Sequence, residues 1–368
     1  MTKRILITGG AGFVAHHLID RLVNACSMCK STDLNHLCQG TPSPNWDVII
    51  LDKLTYASDG FNRLKEIGVY GNDLPEHARA QDKPKVKLYT VDLRFPMGVG
   101  LEKELGRIDY IVHMAAETHV DNSISGPRIF VESNVLGTFE MLELARRLPE
   151  LKKFVYFSTD EVFGPAPGTV LHKEWDRYNS TNPYAATKAA GEELALAWAN
   201  TYKVPVIVTH TMNVCGERQH PEKFIPKVIA AVMQGNTMTI HADPTKTKSG
   251  TRFYIHARNV AEAVLFLLER GEIREKYNII GEQEVSNLEL AQFIAGVVGK
   301  PLHYEMVDFH SSRPGHDLRY GLDGRLLRKM GWRIPMNFFE SLTNTIKWTM
   351  RPENRHWLNT STQKSLWE

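Results

Sequence analysis

The sequence has little cysteine, no long apolar run, no repeat and no excess of charge of either sign. Its four cysteines are Cys26, Cys29, Cys38 and Cys215. Three of them share the stretch NACSMCKSTDLNHLCQG with His36. Cys-x-x-Cys followed by His and Cys uses the ligand types of a zinc site, but no second Cys-x-x-Cys closes the pattern, and no metal is expected. No apolar stretch approaches the length of a membrane span. Lys plus Arg number 44 against 42 acids, a net charge of +2, which argues for neither nucleic acid nor an anionic membrane as partner. The N-terminal MTKRILITGG enters a short strand and a glycine turn directly, without the apolar stretch and cleavage site of a signal peptide. A cytosolic (cytoplasmic) location is therefore expected.

What is present is the balance of an ordinary soluble globular protein, 42% hydrophobic and 23% charged. A length of 368 residues allows a large core and two unequal lobes. RILITG, WDVIILD, VKLYTVD, DYIVHMAA, KKFVYFST and PVIVTHTMNV read as strands. FVAHHLIDRLVNA, NVLGTFEMLELARRL and YAATKAAGEELALAWANTY carry apolar residues at helical spacing between them. This alternation predicts an α/β fold with a doubly wound parallel sheet. Residues 22–45 and 59–84 are polar, poorly periodic and read as surface insertions. Beyond residue 211 the pattern loosens into Pro-bounded turns, a polar DPTKTKSGT loop and short helices, which predicts a smaller lobe over the sheet's carboxyl edge. YNIIG at 277–281 is strand-like and can return to the main sheet. The expected division is residues 1–210 plus about 252–281 in the sheet domain and about 211–251 plus 282–368 in the smaller one.

TGGAGFVA ends the first strand and opens the first helix, the context in which a glycine motif signals a dinucleotide. Gly9 and Gly12 permit a tight turn and let backbone N–H groups approach a pyrophosphate at the helix N-terminus. The spacing is Gly-x-x-Gly-x-x-Ala, with Ala15 at the helix-packing position. Asp52 ends the second strand, where an acid accepts hydrogen bonds from ribose hydroxyls and repels a 2′-phosphate, so the expected cofactor is NAD rather than NADP. It lies 52 − 15 = 37 residues beyond Ala15, a long interval that the polar insertion accounts for. Asp92, after the next strand, is within reach of an adenine amino group.

YAATK sets Tyr184 and Lys188 on one helix face. A phenol is a poor base near neutral pH, and a neighbouring ammonium and the positive charge of the nicotinamide are both expected to lower its pKa, so that it takes a proton from a sugar hydroxyl of the substrate. Thr159, at the end of the KKFVYFST strand, is placed to bond the same substrate hydroxyl. STDEVFG then sets Asp160 beside Glu161. An isolated Asp-Glu pair is ordinarily a solvated loop start or helix cap. At the carboxyl end of a parallel strand it stands where such sheets bind ligands.

These motifs together resemble the extended short-chain dehydrogenase/reductases, and within them the nucleotide-sugar 4,6-dehydratases acting on dTDP-glucose or UDP-glucose. The resemblance runs in order through TGGAGFVA, DKLTYA, AAETHVDNSI, STDEVFG, NPYAATKAAGE, MNVCGERQHPEKFIPK, YNIIGEQE and RPGHDLRY. It implies a Rossmann domain with tightly bound NAD contacted by Gly9, Gly12, Phe13, Val14, Asp52, Lys53, Asp92, Leu93, Ala115, Ala116, Tyr184 and Lys188. It implies oxidation at sugar carbon 4 with Tyr184 as base, removal of the carbon 5 proton by Glu161, and protonation of the departing carbon 6 hydroxyl by Asp160. Asp160 must then stay protonated, which burial and a neighbouring carboxylate favour. For the substrate it implies Arg252 and Arg313 on the diphosphate. Asn213, Glu222, Lys223 and Phe224 fall at the nucleotide, His119 and Asp121 at the sugar, His241 at the base, and His316 in the last motif. Asn122 replaces an arginine common in the dTDP-glucose enzymes, and uracil or thymine is left open. A 4-epimerase or UDP-uronate decarboxylase would share the cofactor turn and Tyr-x-x-x-Lys without needing the Asp-Glu pair. A silent NAD-binding regulator would not need these catalytic side chains. By the same resemblance a homodimer is expected, through the helices starting near Asn134 and Tyr184.

Overall fold

A computed structural model describes residues 2–24, 46–69, 86–309 and 318–359. The Cys26, Cys29, Cys38 and His36 cluster lies outside these residues, as do Arg313 and His316. Seven strands form the main sheet: β1 (Lys3–Thr8), β2 (Trp46–Asp52), β3 (Val86–Thr90), β4 (Tyr110–His113), β5 (Lys153–Thr159), β6 (Val206–Thr211) and β7 (Lys276–Ile279). All neighbours are parallel, in the order β7-β6-β5-β4-β1-β2-β3. The order reverses between β4 and β1, and a crevice opens there beyond the carboxyl ends of the strands.

The apolar runs have their cause in this topology, because strands covered on both faces need apolar side chains in both directions. Ile5, Ile7, Val48, Ile50 and Val155 pack under the helices Phe13–Val23 and Ala257–Arg270. Leu6, Ile49, Leu51, Phe154 and Val206 point the other way, toward Gly137–Arg146 and Pro183–Tyr202. A separate apolar core joins Val228, Ile229, Leu290, Ile294, Phe338 and Leu342, from the helices Phe224–Gln234, Asn287–Val298 and Phe338–Met350. The second of these helices starts with a reciprocal cap, Ser286 with Glu289. A parallel pair, Thr237–Ala242 with His303–Asp308, lies beside that core. No helix among the described residues is long and apolar enough to cross a membrane.

Three expectations need correction. PVIVTHTMNV is not one strand: β6 stops at Thr211, and Val214–Cys215 pairs instead with Ile255–His256. NVLGTFEMLELARRL does not begin a regular helix, because Val131–Leu136 is a π-helical turn ahead of Gly137–Arg146. The stretch from residue 59 is not wholly a surface insertion. Asn62–Glu66 is a short helix whose Arg63 and Leu64 are completely buried.

Candidate active site

The crevice is built from strand ends. After β1 the chain turns at Gly9, whose φ is +68°, and a Cβ there would stand 2.8 Å from the Ala115 Cα. Only glycine combines that conformation with so close a backbone neighbour. Gly12 starts the first helix without any side-chain cap. The helix start therefore keeps N–H groups available for an anion. Thr8 Oγ1 ties this turn to the β4 side by accepting the N–H groups of Met114 and Ala115, at 3.1 and 3.0 Å.

Asp52 is buried at the end of β2, and its carboxylate has a structural task. Oδ2 accepts the Ala11 N–H at 2.9 Å and Oδ1 the Leu54 N–H at 2.7 Å. Burial raises its pKa, and these two bonds act in the opposite direction. Asp92 pairs with Lys53 at 3.0 Å and with Arg94 at 2.7 Å. The Arg94 fork holds its carboxyl far below the usual range.

At the end of β5 the chain tightens into a 3₁₀ turn, Asp160–Phe163, capped by Thr159, whose Oγ1 accepts the Glu161 N–H. The same hydroxyl donates to Asp160 Oδ1 at 3.0 Å and is hydrogen-bonded to the Tyr184 side chain. Asp160 is buried, and its Oδ2 has no partner. Burial first, then the Glu161 charge, push Asp160 up to about 7. Glu161 meets a polar neighbour instead: Asn182 Nδ2 donates to its Oε2 at 3.1 Å. Asn182 also caps the helix that carries Tyr184 and Lys188, accepting the Ala185 N–H at 2.8 Å. Two adjacent carboxyls thus have different environments and are ready for different work.

The helix is held against β5 by Tyr156, whose hydroxyl donates to the Lys188 carbonyl at 3.0 Å. Gly191 leaves room for that hydroxyl, since a Cβ would lie 2.3 Å from it. Lys188 is buried with Nζ 4.4 Å from the Tyr156 ring centre, and burial lowers its pKa to about 7. The expectation that Lys188 lowers the Tyr184 pKa is not met by the protein's own groups. Burial pushes the phenol well up, Glu161 and Asp160 add to the rise, and only the Thr159 bond opposes it. Desolvation of a phenolate outweighs any help from an ammonium that is itself destabilised by burial.

One cavity of about 390 Å³ joins these parts. It brings together Gly9, Gly12, Phe13, Val14, Asp52, Lys53, Asp92, Leu93, Ala115 and Ala116 on one side. Thr159, Asp160, Glu161, Tyr184, Lys188, His119, Asn213, Glu222, Lys223 and Phe224 complete it. Asp121, His241 and Arg252 are not among its lining residues. Asp121 lies in the helix Val120–Ser125, and His241 turns its ring toward Phe309, with centroids 6.2 Å apart. Arg252 donates to the carbonyls of Thr251 and Leu318, both at 2.7 Å, and lies over Tyr320; its charge still acts on Asp160.

The sequence pattern does not single out Tyr56, Arg94, Glu117, Gln219 or His220, which also line the cavity. Tyr56 packs edge-on to His220 at 5.7 Å and receives a 2.9 Å bond from Asn122, which is what Asn122 does in place of the arginine. Glu222 has the imidazoles of His220 and His119 at 3.5 and 3.8 Å. Asn134, in the π-helical turn, accepts the Glu117 N–H at 2.8 Å and donates to Thr187 at 3.0 Å, fastening one cavity wall to the helix that carries Tyr184 and Lys188. DKLTYA and ERQHPEK contained several of these residues, but a motif does not say which side chains turn inward. Among the described residues no group of three His, Cys, Asp or Glu could hold a metal ion.

A parallel sheet with a glycine cradle, an uncapped helix start and Tyr-x-x-x-Lys in one crevice defines a dinucleotide-dependent enzyme of the Rossmann type. The residues present fit NAD: a Cβ would fill the cradle at Gly9, and an acid closes β2. The model of the NAD dependent epimerase/dehydratase family matches residues 35–279, and the chain belongs to that family. It is 34% identical over 364 residues to the dTDP-D-glucose 4,6-dehydratase of Homo sapiens, covering 97% of this chain and 92% of that protein. It is 35% identical over 354 residues to an Arabidopsis thaliana trifunctional UDP-glucose 4,6-dehydratase/UDP-4-keto-6-deoxy-D-glucose 3,5-epimerase/UDP-4-keto-L-rhamnose-reductase. That match takes in 95% of this chain, which spans about half the length, 48%, of the plant relative. The crystal structure of dTDP-glucose 4,6-dehydratase from Streptomyces venezuelae, with NAD bound, superposes with a TM-score of 0.78 at 32% identity. The match covers 96% of this chain and 98% of that one.

Proposed function

We infer that the protein is an NAD-dependent nucleotide-sugar 4,6-dehydratase, converting an NDP-glucose into the NDP-4-keto-6-deoxy-glucose and water. The observation that carries this reading is the unequal carboxyl pair, Asp160 pushed up to about 7 beside Glu161, in one cavity with Tyr184 and Lys188. Epimerisation or decarboxylation in the same family gives that pair no task.

NAD, when bound, supplies reversible hydride storage, taking a hydride from carbon 4 and returning it to carbon 6. Gly9, Gly12 and the first turn of the helix would receive its diphosphate, and Asp52, Lys53 and Asp92 would hold its adenosine end. Tyr184, aligned by Thr159, removes the proton of the carbon 4 hydroxyl. The ketone so formed acidifies carbon 5; Glu161 removes that proton and, as the hydride reaches carbon 6, returns a solvent-exchanged proton to carbon 5. Asp160 gives its proton to the carbon 6 hydroxyl, which leaves as water. Positioned acid–base groups of this kind contribute roughly 10²–10⁴ in rate each. Asn213 and Glu222–Phe224 form the nucleotide end of the same cavity, and the base is uracil or thymine.

The division into a cofactor lobe, residues 1–210 plus about 252–281, and a nucleotide-sugar lobe, about 211–251 plus 282–368, is part of this proposal. The return of Lys276–Ile279 to the main sheet and the separate core around Ile229 and Leu342 support it. A cytoplasmic homodimer without nucleic-acid or membrane partners completes it. Exposed Val131, Leu136, Phe139 and Tyr202 on the helical layer of Asn134 and Tyr184 support the dimer. Incubation with UDP-glucose and dTDP-glucose, separately, in deuterated water tests the reaction. The expected product is lighter by one water and carries deuterium at carbon 5; a 4-epimer with no loss of water would end the reading. Glu161→Gln is expected to retain NAD and substrate and lose water elimination.

A further inference from the structure

Arg63 is the one long charged side chain among the largest fully buried ones, at 0% exposure. It belongs to a stretch whose polar composition reads as surface. Its hydrogen bonds go to carbonyls of three separate segments. Nη1 donates to Ala57 at 2.8 Å and to Ala11 at 3.2 Å, and Nε donates to Arg218 at 3.0 Å. Nη2 is buried without a partner. The guanidinium lies 5.0 Å from the centre of the Trp357 ring, which seals it from the outside. The Trp357 indole and Arg218 both donate to Glu66, at 2.9 and 2.6 Å. Burial lowers the Arg63 pKa to about 10, which leaves it cationic at neutral pH.

The position of the charge is informative. Ala11 is the middle of the glycine turn: its N–H is held by Asp52 at 2.9 Å and its carbonyl by Arg63. Ala57 lines the cavity, and Arg218 immediately precedes Gln219 and His220, which also line it. No carboxylate hydrogen-bonds it; Asp59, Asp52 and Glu66 favour its charge from nearby and Arg218 opposes it, and burial still outweighs them, so the cation is costly to keep. The cost is offset when an anion docks on the same turn, and the following helix start is the natural seat for one.

We propose that Arg63 is a positioning residue for the cofactor, locking the glycine turn, the 53–58 loop and the 214–220 segment together and placing a buried positive charge behind the seat of the NAD diphosphate. This rests on the reading of the turn as an NAD site. Asp52 sets the N–H side of the turn and Arg63 the carbonyl side, so the turn meets the dianion already in its bound shape. The charge favours NAD over any adenine ligand without phosphate.

The test measures binding of NAD and of adenosine separately, by calorimetry, to the parent protein, Arg63→Met and Arg63→Lys. Arg63→Met is expected to weaken NAD about tenfold or more, the scale of one unit charge acting through the protein interior. Adenosine binding is expected to stay within about twofold, and Arg63→Lys to lie between parent and Met for NAD. NAD affinity unchanged in Arg63→Met, or NAD and adenosine weakened by the same factor, would overturn the proposal. Should Arg63→Met not fold, Arg63→Gln, which keeps N–H donors but carries no charge, decides: equal loss for both ligands, or no loss of NAD, refutes the electrostatic role, and selective loss of NAD supports it. A parent protein that binds no NAD would sink the cofactor reading itself, a result distinct from an unaltered variant.

Discussion

Replacing Asp160 by Asn should make the protein more stable, and increasingly so as pH rises. In the folded state burial and Glu161 push this carboxyl from 3.8 to about 7. A group whose folded value is raised binds its proton more tightly in the native state, so stability is lost as pH climbs from the unfolded value to the folded one. The span is roughly three pH units, and at about 1.4 kcal/mol per unit the full cost is on the order of 4 kcal/mol above pH 8. Roughly 2 kcal/mol of it is already present at pH 5, so the advantage of Asp160→Asn grows by roughly 2 to 3 kcal/mol between pH 5 and pH 8. For a chain of this length that is roughly 3 °C in midpoint. Asn keeps the Oδ1 acceptor for the Thr159 hydroxyl, which isolates the charge as the variable. Thermal unfolding of parent and variant at pH 5, 6.5 and 8 reads the difference. A gap that does not widen with pH would show that Asp160 is not held protonated by its surroundings, and its role as proton donor would fall with it. The same protonation predicts that kcat/KM for the NDP-glucose declines above about pH 7.

Tyr184→Phe is expected to lower kcat by ~10²–10⁴ with NAD binding retained; turnover near the parent value would remove Tyr184 from the reaction. Asn182→Ala strips the cap of the catalytic helix and the amide on Glu161, so a loss of about 1 kcal/mol in urea unfolding should accompany a fall in kcat. An unchanged kcat would mean that Glu161 is oriented by other groups. Lys276→Met removes one partner from a buried cluster in which Glu192 meets Lys276 and His210, each at 3.0 Å, and Tyr178. The expected cost is about 3 kcal/mol, measured by denaturant midpoint, and a neutral outcome would show that His210 alone neutralises Glu192.

The elements most legible in the sequence are those whose information is local. WDVIILD is a strand over the whole of its predicted length because both of its faces are covered by helices. TGGAGFVA is readable as a turn because a positive φ at Gly9 and a close approach to Ala115 demand glycine there. YAATK is readable because helical spacing alone sets Tyr184 and Lys188 on one face. The reading fails where the partner is far along the chain. Arg63 belongs to a polar stretch, and nothing local reveals that Ala11, Arg218 and Trp357 enclose it. His241 stands at the expected place in the sequence, but the strand Thr237–Ala242 carries it toward Phe309 rather than into the cavity.

The parallel sheet, the cofactor turn and the residue types at the end of β5 are legible along the chain, since periodicity, the alternation of strands with helices and glycine spacing are local properties; the order of the strands is not. For Asp160 and Glu161 the resemblance implies different roles, but adjacency in sequence gives no physical reason why one acid should hold its proton and the other not. The fold separates them, burying one with an oxygen left without a partner and giving the other the Asn182 amide from 21 residues away. The physical reason is that a pKa is set by desolvation and by the charges nearby, and both depend on what the fold brings together rather than on what adjoins in sequence.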